Sequence, residues 1–224
     1  MAKITLGVAL SSISGSVEGT TFARNRGGSY MRNKTVPTQP KTSAVQVRRA
    51  ILSGLAATWA QTLTDDQRAG WNEYARQVTL PDSLGQQRNA GGLGMFVRGN
   101  SLLVLAGAAP VLTPPNVMEM GPVIANFTVA PSVATADITI AAFSPALPIT
   151  DLVLFFAGPP INPGRNFFKG PYKFIGANTV DTANAAYSVI TPLVLALDLF
   201  VRAVIVTADA RVGTSRTVRG TIGA

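Results

Sequence analysis

The densest chemistry in the chain lies in residues 22–34, where Arg24, Arg26, Arg32 and Lys34 are interleaved with Phe22 and Tyr30. Guanidinium and ammonium groups form charge-assisted hydrogen bonds to carboxylates or phosphates, and aromatic rings between them add contact area. The enclosing segment, residues 15–41, adds Lys41 and holds a single acid, Glu18. Its partner is therefore an anion, whether an acidic protein surface or a nucleic-acid backbone. Arg48 and Arg49 follow near the start of an expected helix. The helix dipole disfavours cations there, so they read either as a solvated pair or as further contacts to an acidic partner. A second mixed cluster, Arg165, Phe167, Phe168 and Lys169, sits in the glycine- and proline-rich stretch 158–171. It reads either as a contact tip or as a loop tucked onto a domain edge.

Catalytic chemistry is poorly provided for. The sequence has no cysteine and no histidine, which removes disulfides, thiolate nucleophiles, zinc-thiolate sites, the usual neutral-pH base and every Ser/His triad. Of 11 carboxylates only Asp65 and Asp66 are adjacent, and a helix start explains them. No metal-ligand spacing, nucleophile elbow or full phosphate loop occurs, and Gly92-Leu93-Gly94 is too short for one. The expectation is a non-enzyme with no cofactor and no metal.

A chain of 224 residues with 47% hydrophobic content suffices for a sizeable core. Charged residues make up only 13%, about half the usual share, which fits either a surface of Ser, Thr, Asn, Gly and Ala or one covered by partners. The net charge of +8 is uneven: residues 1–120 hold 12 Lys and Arg against 6 acids, and the remainder 7 against 5. No stretch reads as a signal peptide or membrane span, so no membrane partner is expected.

The elements that must position these groups fall into an α+β order. Residues 1–13 alternate apolar Ile4, Leu6 and Val8 with Lys3, Thr5 and Gly7, a strand pattern. Residues 15–41 carry glycines at 15, 19, 27 and 28 and prolines at 37 and 40, a composition that opposes a helix and suits extended ribbon. That ribbon is either a hairpin turning at Gly27-Gly28 or a reaching arm, whose full extension spans on the order of 90 Å. We take residues 1–41 as an extended basic arm.

Ser43-Ala44-Val45-Gln46 has the form of a capping box, followed by Val47, Ile51, Leu52, Leu55 and Trp59 on one helical face. Thr64-Asp65-Asp66-Gln67 repeats the box, and its helix buries Trp71, Tyr74, Ala75 and Val78 before Pro81. The two form an antiparallel hairpin whose tryptophans serve as packing anchors. Residues 81–94 read as a loop and 95–105 as a third helix. A proline-rich linker over 110–123 then separates the helical region, 42–109, from residues 124–224.

Beyond it the period changes to strands, expected at 124–129, 136–143, 151–157, 172–176, 185–190, 199–207 and 216–222. Seven short strands in about a hundred residues is the pattern of an all-β immunoglobulin-like or fibronectin type III-like sandwich.

The phrase GSVEGTTFARNRGG at residues 15–28, with Tyr30-Met31-Arg32, Pro37, Pro40 and Trp71-Asn72-Glu73-Tyr74-Ala75, resembles a family of tailed-bacteriophage structural proteins. The resemblance covers roughly the first half and brings no catalytic residues. It implies a virion component without saying which one. The favoured reading is an auxiliary capsid, cement or decoration protein on the capsid exterior, with the major capsid protein, other virion proteins and further copies of itself as expected partners. A neck or tail component is the first alternative. A nucleic-acid binder using the basic arm is the second and weaker one.

Overall fold

A computed structural model of the chain describes residues 2–5, 7, 12–25, 28–36, 38–81, 85–133, 137–144, 150–179, 185–188 and 195–223. The chain divides into two compact units, Met1–Gln46 and Val47–Ala224, with the division in the first turn of a helix.

In the first unit four strands form an antiparallel sheet: β1 (Ala2–Lys3), β2 (Gly15–Val17), β3 (Thr20–Asn25) and β4 (Gly28–Asn33), in the order β1-β4-β3-β2. The ribbon of residues 15–33 is therefore a pair of hairpins, not a single extended reach. Val17 pairs with Thr20 across a tight turn in which Glu18 takes a left-handed φ of 47°. Asn25 pairs with Gly28 across the second turn, whose residues 26 and 27 lie outside the described residues. Leu6 and Val8 of the expected first strand lie outside them too. No described residue of 1–46 is buried.

The second unit begins with a helical layer. Helix α1 (Ser43–Gln61) starts at Ser43 itself, so the first expected capping box is displaced. The Gln46 side chain donates to the Lys41 carbonyl and its N–H to that of Thr42. Helix α2 (Asp65–Gln77) has the second box intact: the Thr64 hydroxyl accepts from the Gln67 N–H, and the Gln67 side chain accepts from the Thr64 N–H. Such a cap stabilises a helix by about 1 kcal/mol. Arg68 then reaches back one helix, donating to the carbonyls of Trp59 and Ala60 and so satisfying the open end of α1.

Strands β5 (Leu80–Pro81) and β6 (Gln87–Arg88) pair briefly in the expected loop. Helix α3 (Gly92–Leu105) begins three residues before the expected start at 95. Gly92 is drawn into the helix because its N–H donates to Asn72 Oδ1 and its bare α-carbon lies against that side chain. Tertiary contact thus overrides the poor helix propensity of glycine.

All seven expected strands occur within a few residues of their predicted ends: β7 (Asn126–Pro131), β8 (Asp137–Ser144), β9 (Leu152–Ala157), β10 (Lys173–Thr179), β11 (Ala185–Ser188), β12 (Asp198–Val206) and β13 (Arg216–Thr221). They form two antiparallel sheets, β10-β9-β12-β13 and β11-β8-β7. The fold class is α+β.

Alternation along β9 and β12 divides the apolar residues between two cores. Val153, Phe155, Val201, Ala203 and Ile205 join Phe127 of the three-stranded sheet and Ile124 in one cluster. Leu154, Phe156 and Val206 face the other way and pack with Leu55, Trp71, Tyr74, Met95, Phe96 and Leu103 of the helices. The four-stranded sheet is thus covered on both faces, which explains why LVLFFA and DLFVRAVIV read as nearly unbroken apolar runs.

The stretch 110–123, expected as a linker, is fastened along its length to the helical layer. Trp71 Nε1 donates to the Leu112 carbonyl at 3.0 Å and the Tyr74 hydroxyl to that of Glu119 at 3.0 Å. Buried Asn100 accepts from the Val111 N–H and donates to the Val111 carbonyl. Prolines here keep the chain extended while side chains supply the hydrogen bonds that a strand neighbour otherwise would.

Candidate functional site

Within the first unit, Arg24 and Arg32 do not share one face of the sheet. In the first unit, residues paired across the ladder project from the same face. Phe22 opposes Met31 and Arg24 opposes Ser29 on one face; Tyr30 opposes both Lys3 and Ala23, and Arg32 opposes Thr21, on the other. The hydrogen bond between the Ser16 and Thr21 hydroxyls lies on this second face. Each face therefore pairs a half-buried aromatic ring, Phe22 or Tyr30, with an exposed arginine. Lys34 is exposed just beyond β4, its N–H donating to the Gly19 carbonyl. Arg26 lies outside the described residues.

In the second unit the remaining residues separate into inward and outward roles. Arg48 sits in the second turn of α1, with its guanidinium 5.8 Å from the centre of the Phe156 ring. That gives it an internal cation-π partner. Arg49 is exposed and engaged elsewhere in the fold. In the 158–172 loop, Phe168 meets Tyr172 edge-on at 5.2 Å and lies tilted against Phe200 at 6.2 Å, while the Tyr172 hydroxyl donates to the Phe168 carbonyl. Phe167 is 79% exposed. One phenylalanine of the loop is therefore tucked onto the domain while its neighbour is exposed. The Arg165 carbonyl accepts from Arg219, tying the loop to β13.

The two tryptophans belong to the core. Trp71 is fully buried, edge-on to Tyr74 at 5.9 Å and to Phe96 at 5.5 Å, and Trp59 lies 5.5 Å from Phe96. Burial also holds the Tyr74 phenol above its ordinary pKa.

Two features were not legible in the sequence. The first is a cleft of about 790 Å³ lined by Arg98, Lys169 and Arg202, residues brought together from α3, the 158–172 loop and β12. The second is Asp151, only 3% exposed at the head of β9, with Oδ2 lacking any hydrogen-bond partner. Burial raises its pKa above its ordinary value, against a hydrogen bond from the Ala208 backbone and the nearby Arg211. It stands beside the 207–211 turn. There the buried Thr207 hydroxyl bonds Asp209 and both backbone groups of Arg211, and Arg211 Nε pairs with Asp209 at 2.8 Å.

No family model matches the chain, and no curated protein matches it. Among solved structures, a family 76 glycoside hydrolase from a bovine Bacteroides thetaiotaomicron strain aligns with a TM-score of 0.32 at 11% identity, over 45% of this chain and 20% of that one. The chain spans about a fifth of that structure, and at this score the likeness carries no argument about fold or activity. Among the described residues no group of three or more acidic, histidine or cysteine side chains is placed to hold a metal, and no helix is long and apolar enough to cross a membrane.

Proposed function

We propose that this chain is a virion structural protein, an auxiliary capsid or cement component that acts by gripping neighbouring subunits and not by catalysis. The observation that carries the reading is that no described side chain of residues 1–46 is buried although the segment forms a registered four-stranded sheet. A small sheet with no core of its own gains most of its stability by lying on another surface. Each of its faces offers an aromatic ring beside an arginine, and β1 and β2 are its edges. The acceptor is the major capsid protein or a neighbouring copy, engaged by edge augmentation or by a face laid in a groove. The arginines set register and association rate more than affinity.

The choice of particle rests on the resemblance of residues 15–28 and 71–75 to phage structural proteins, and the capsid exterior is the favoured place. The β region is assigned to the fibronectin type III-like arrangement. Lettering its seven strands A, B, C, C′, E, F and G in chain order gives the sheets A-B-E and C′-C-F-G, and this supports the assignment. Removing residues 1–41 is expected to abolish incorporation into particles while leaving the rest of the chain folded, as read by circular dichroism and by quantitative mass spectrometry of purified particles. Full incorporation of the shortened chain overturns the reading.

A further inference from the structure

The cleft beside α3 gathers three cations and, among its described lining residues, no acid. Arg68, Arg76, Arg211 and Arg219 each pair with an acid nearby. Arg98, Lys169 and Arg202 line one cleft, and none of its described lining residues is acidic. Arg98 and Lys169 have no carboxylate partner among the described residues. Arg202 rests over the Tyr172 ring at 4.2 Å and makes one long contact, 3.5 Å, to the Thr217 hydroxyl. Desolvation of Arg98 by its surroundings disfavours its charge, and an incoming anion relieves that cost.

The floor between these cations is apolar. Arg98 and Leu102 lie one helical turn apart on α3, so the guanidinium borders the leucine. Met120, Phe156, Val204 and Val212 continue that surface, and the Thr214 and Ser215 hydroxyls stand at its rim. Such a lining separates the candidate ligands. An inorganic oxyanion is far smaller than about 790 Å³ and gains nothing from an apolar floor. A nucleic-acid strand needs a phosphate track with open aromatic faces for its bases, whereas Arg202 already covers Tyr172 and Phe156 is buried. An extended peptide with alternating acidic and apolar residues satisfies both cations and floor.

We propose that the cleft formed by Arg98, Lys169 and Arg202 over Leu102, Phe156 and Val204 is a docking site for an acidic, partly apolar peptide segment of a partner protein. All of its described lining residues belong to the second unit, and the proposal does not depend on the assembly reading.

The test uses the full chain against an array of eight-residue peptides alternating Asp or Glu with Leu, Phe or Val, beside copies in which Asn and Gln replace the acids. The best acidic peptide is then titrated by fluorescence anisotropy. Arg98→Gln and Lys169→Gln are each expected to weaken it about tenfold. The Ser215→Glu change, at an exposed rim position, introduces repulsion without touching the floor and is expected to weaken binding by a similar factor with an unchanged melting temperature. Deleting residues 1–41 is expected to leave the affinity intact. The proposal is overturned if no acidic peptide binds better than its neutral copy, if Ser215→Glu binds normally, or if inorganic phosphate or a 20-nucleotide single strand binds the cleft in place of the peptide.

Discussion

Asn100 shows how a single polar residue fixes the path of a distant segment. Fully buried, it donates to the carbonyls of Phe96 and Val111 and accepts from the Val111 N–H. Asn100→Ala leaves both backbone groups of Val111 without partners, at a cost of about 2–3 kcal/mol. We expect a fall in melting temperature of about 5–10 °C, measured by calorimetry. Asp151 makes the opposite case, a buried carboxylate whose second oxygen is unpaired. Its folded-state pKa is raised, so the folded protein holds this proton more tightly than the unfolded chain does. The associated stability is present at low pH and is lost as pH rises from the unfolded value through the folded one. Asp151→Asn removes that loss. Its melting temperature is expected to match wild type near pH 3 and to exceed it progressively toward pH 7; a constant difference across that range refutes the assignment. Neither residue was visible as special in the sequence, because an isolated Asn or Asp carries no periodicity and only its surroundings give it a role.

Among the elements, α2 was the most legible. Thr64, Gln67, Asp65 and Asp66 act on backbone groups within one turn, so their effect is written locally. Helix α3 was less so, since its first turn depends on Asn72 and its middle on the 207–211 turn. A methyl group at Gly99 would lie 1.9 Å from the Ala210 carbonyl oxygen, a backbone atom that cannot step aside. Gly99→Ala is therefore expected to cost about 3 kcal/mol, read as a lower urea midpoint with an unchanged slope. Strand β12 was recognised by its apolar run, but the run could not say that even-numbered and odd-numbered residues belong to different cores. The hairpin of β3 and β4 was one of two open readings, and its ladder decided which cations face together. Arg24 and Arg32, close in sequence, point to opposite faces.

On the scale of the whole molecule, the first unit has no buried side chain among its described residues, and residues 31–44 are exposed wherever they are described. Limited proteolysis is expected to cut within 34–42 and to leave a stable fragment beginning near Ser43. That fragment is expected to keep the melting temperature of the full chain within about 2 °C; a large drop means that residues 1–41 contribute to the core. The amino-acid sequence by itself determined the α+β order, the second helix cap and the places of seven strands, because these depend on residues adjacent along the chain. Tertiary structure decided what lies far apart in sequence and close in space. It fastened residues 110–123 to Trp71, Tyr74 and Asn100, gave the four-stranded sheet two covered faces, and gathered Arg98, Lys169 and Arg202 around one cleft. Charge and burial at such places are properties of a neighbourhood, and only the packed chain has neighbourhoods of that kind.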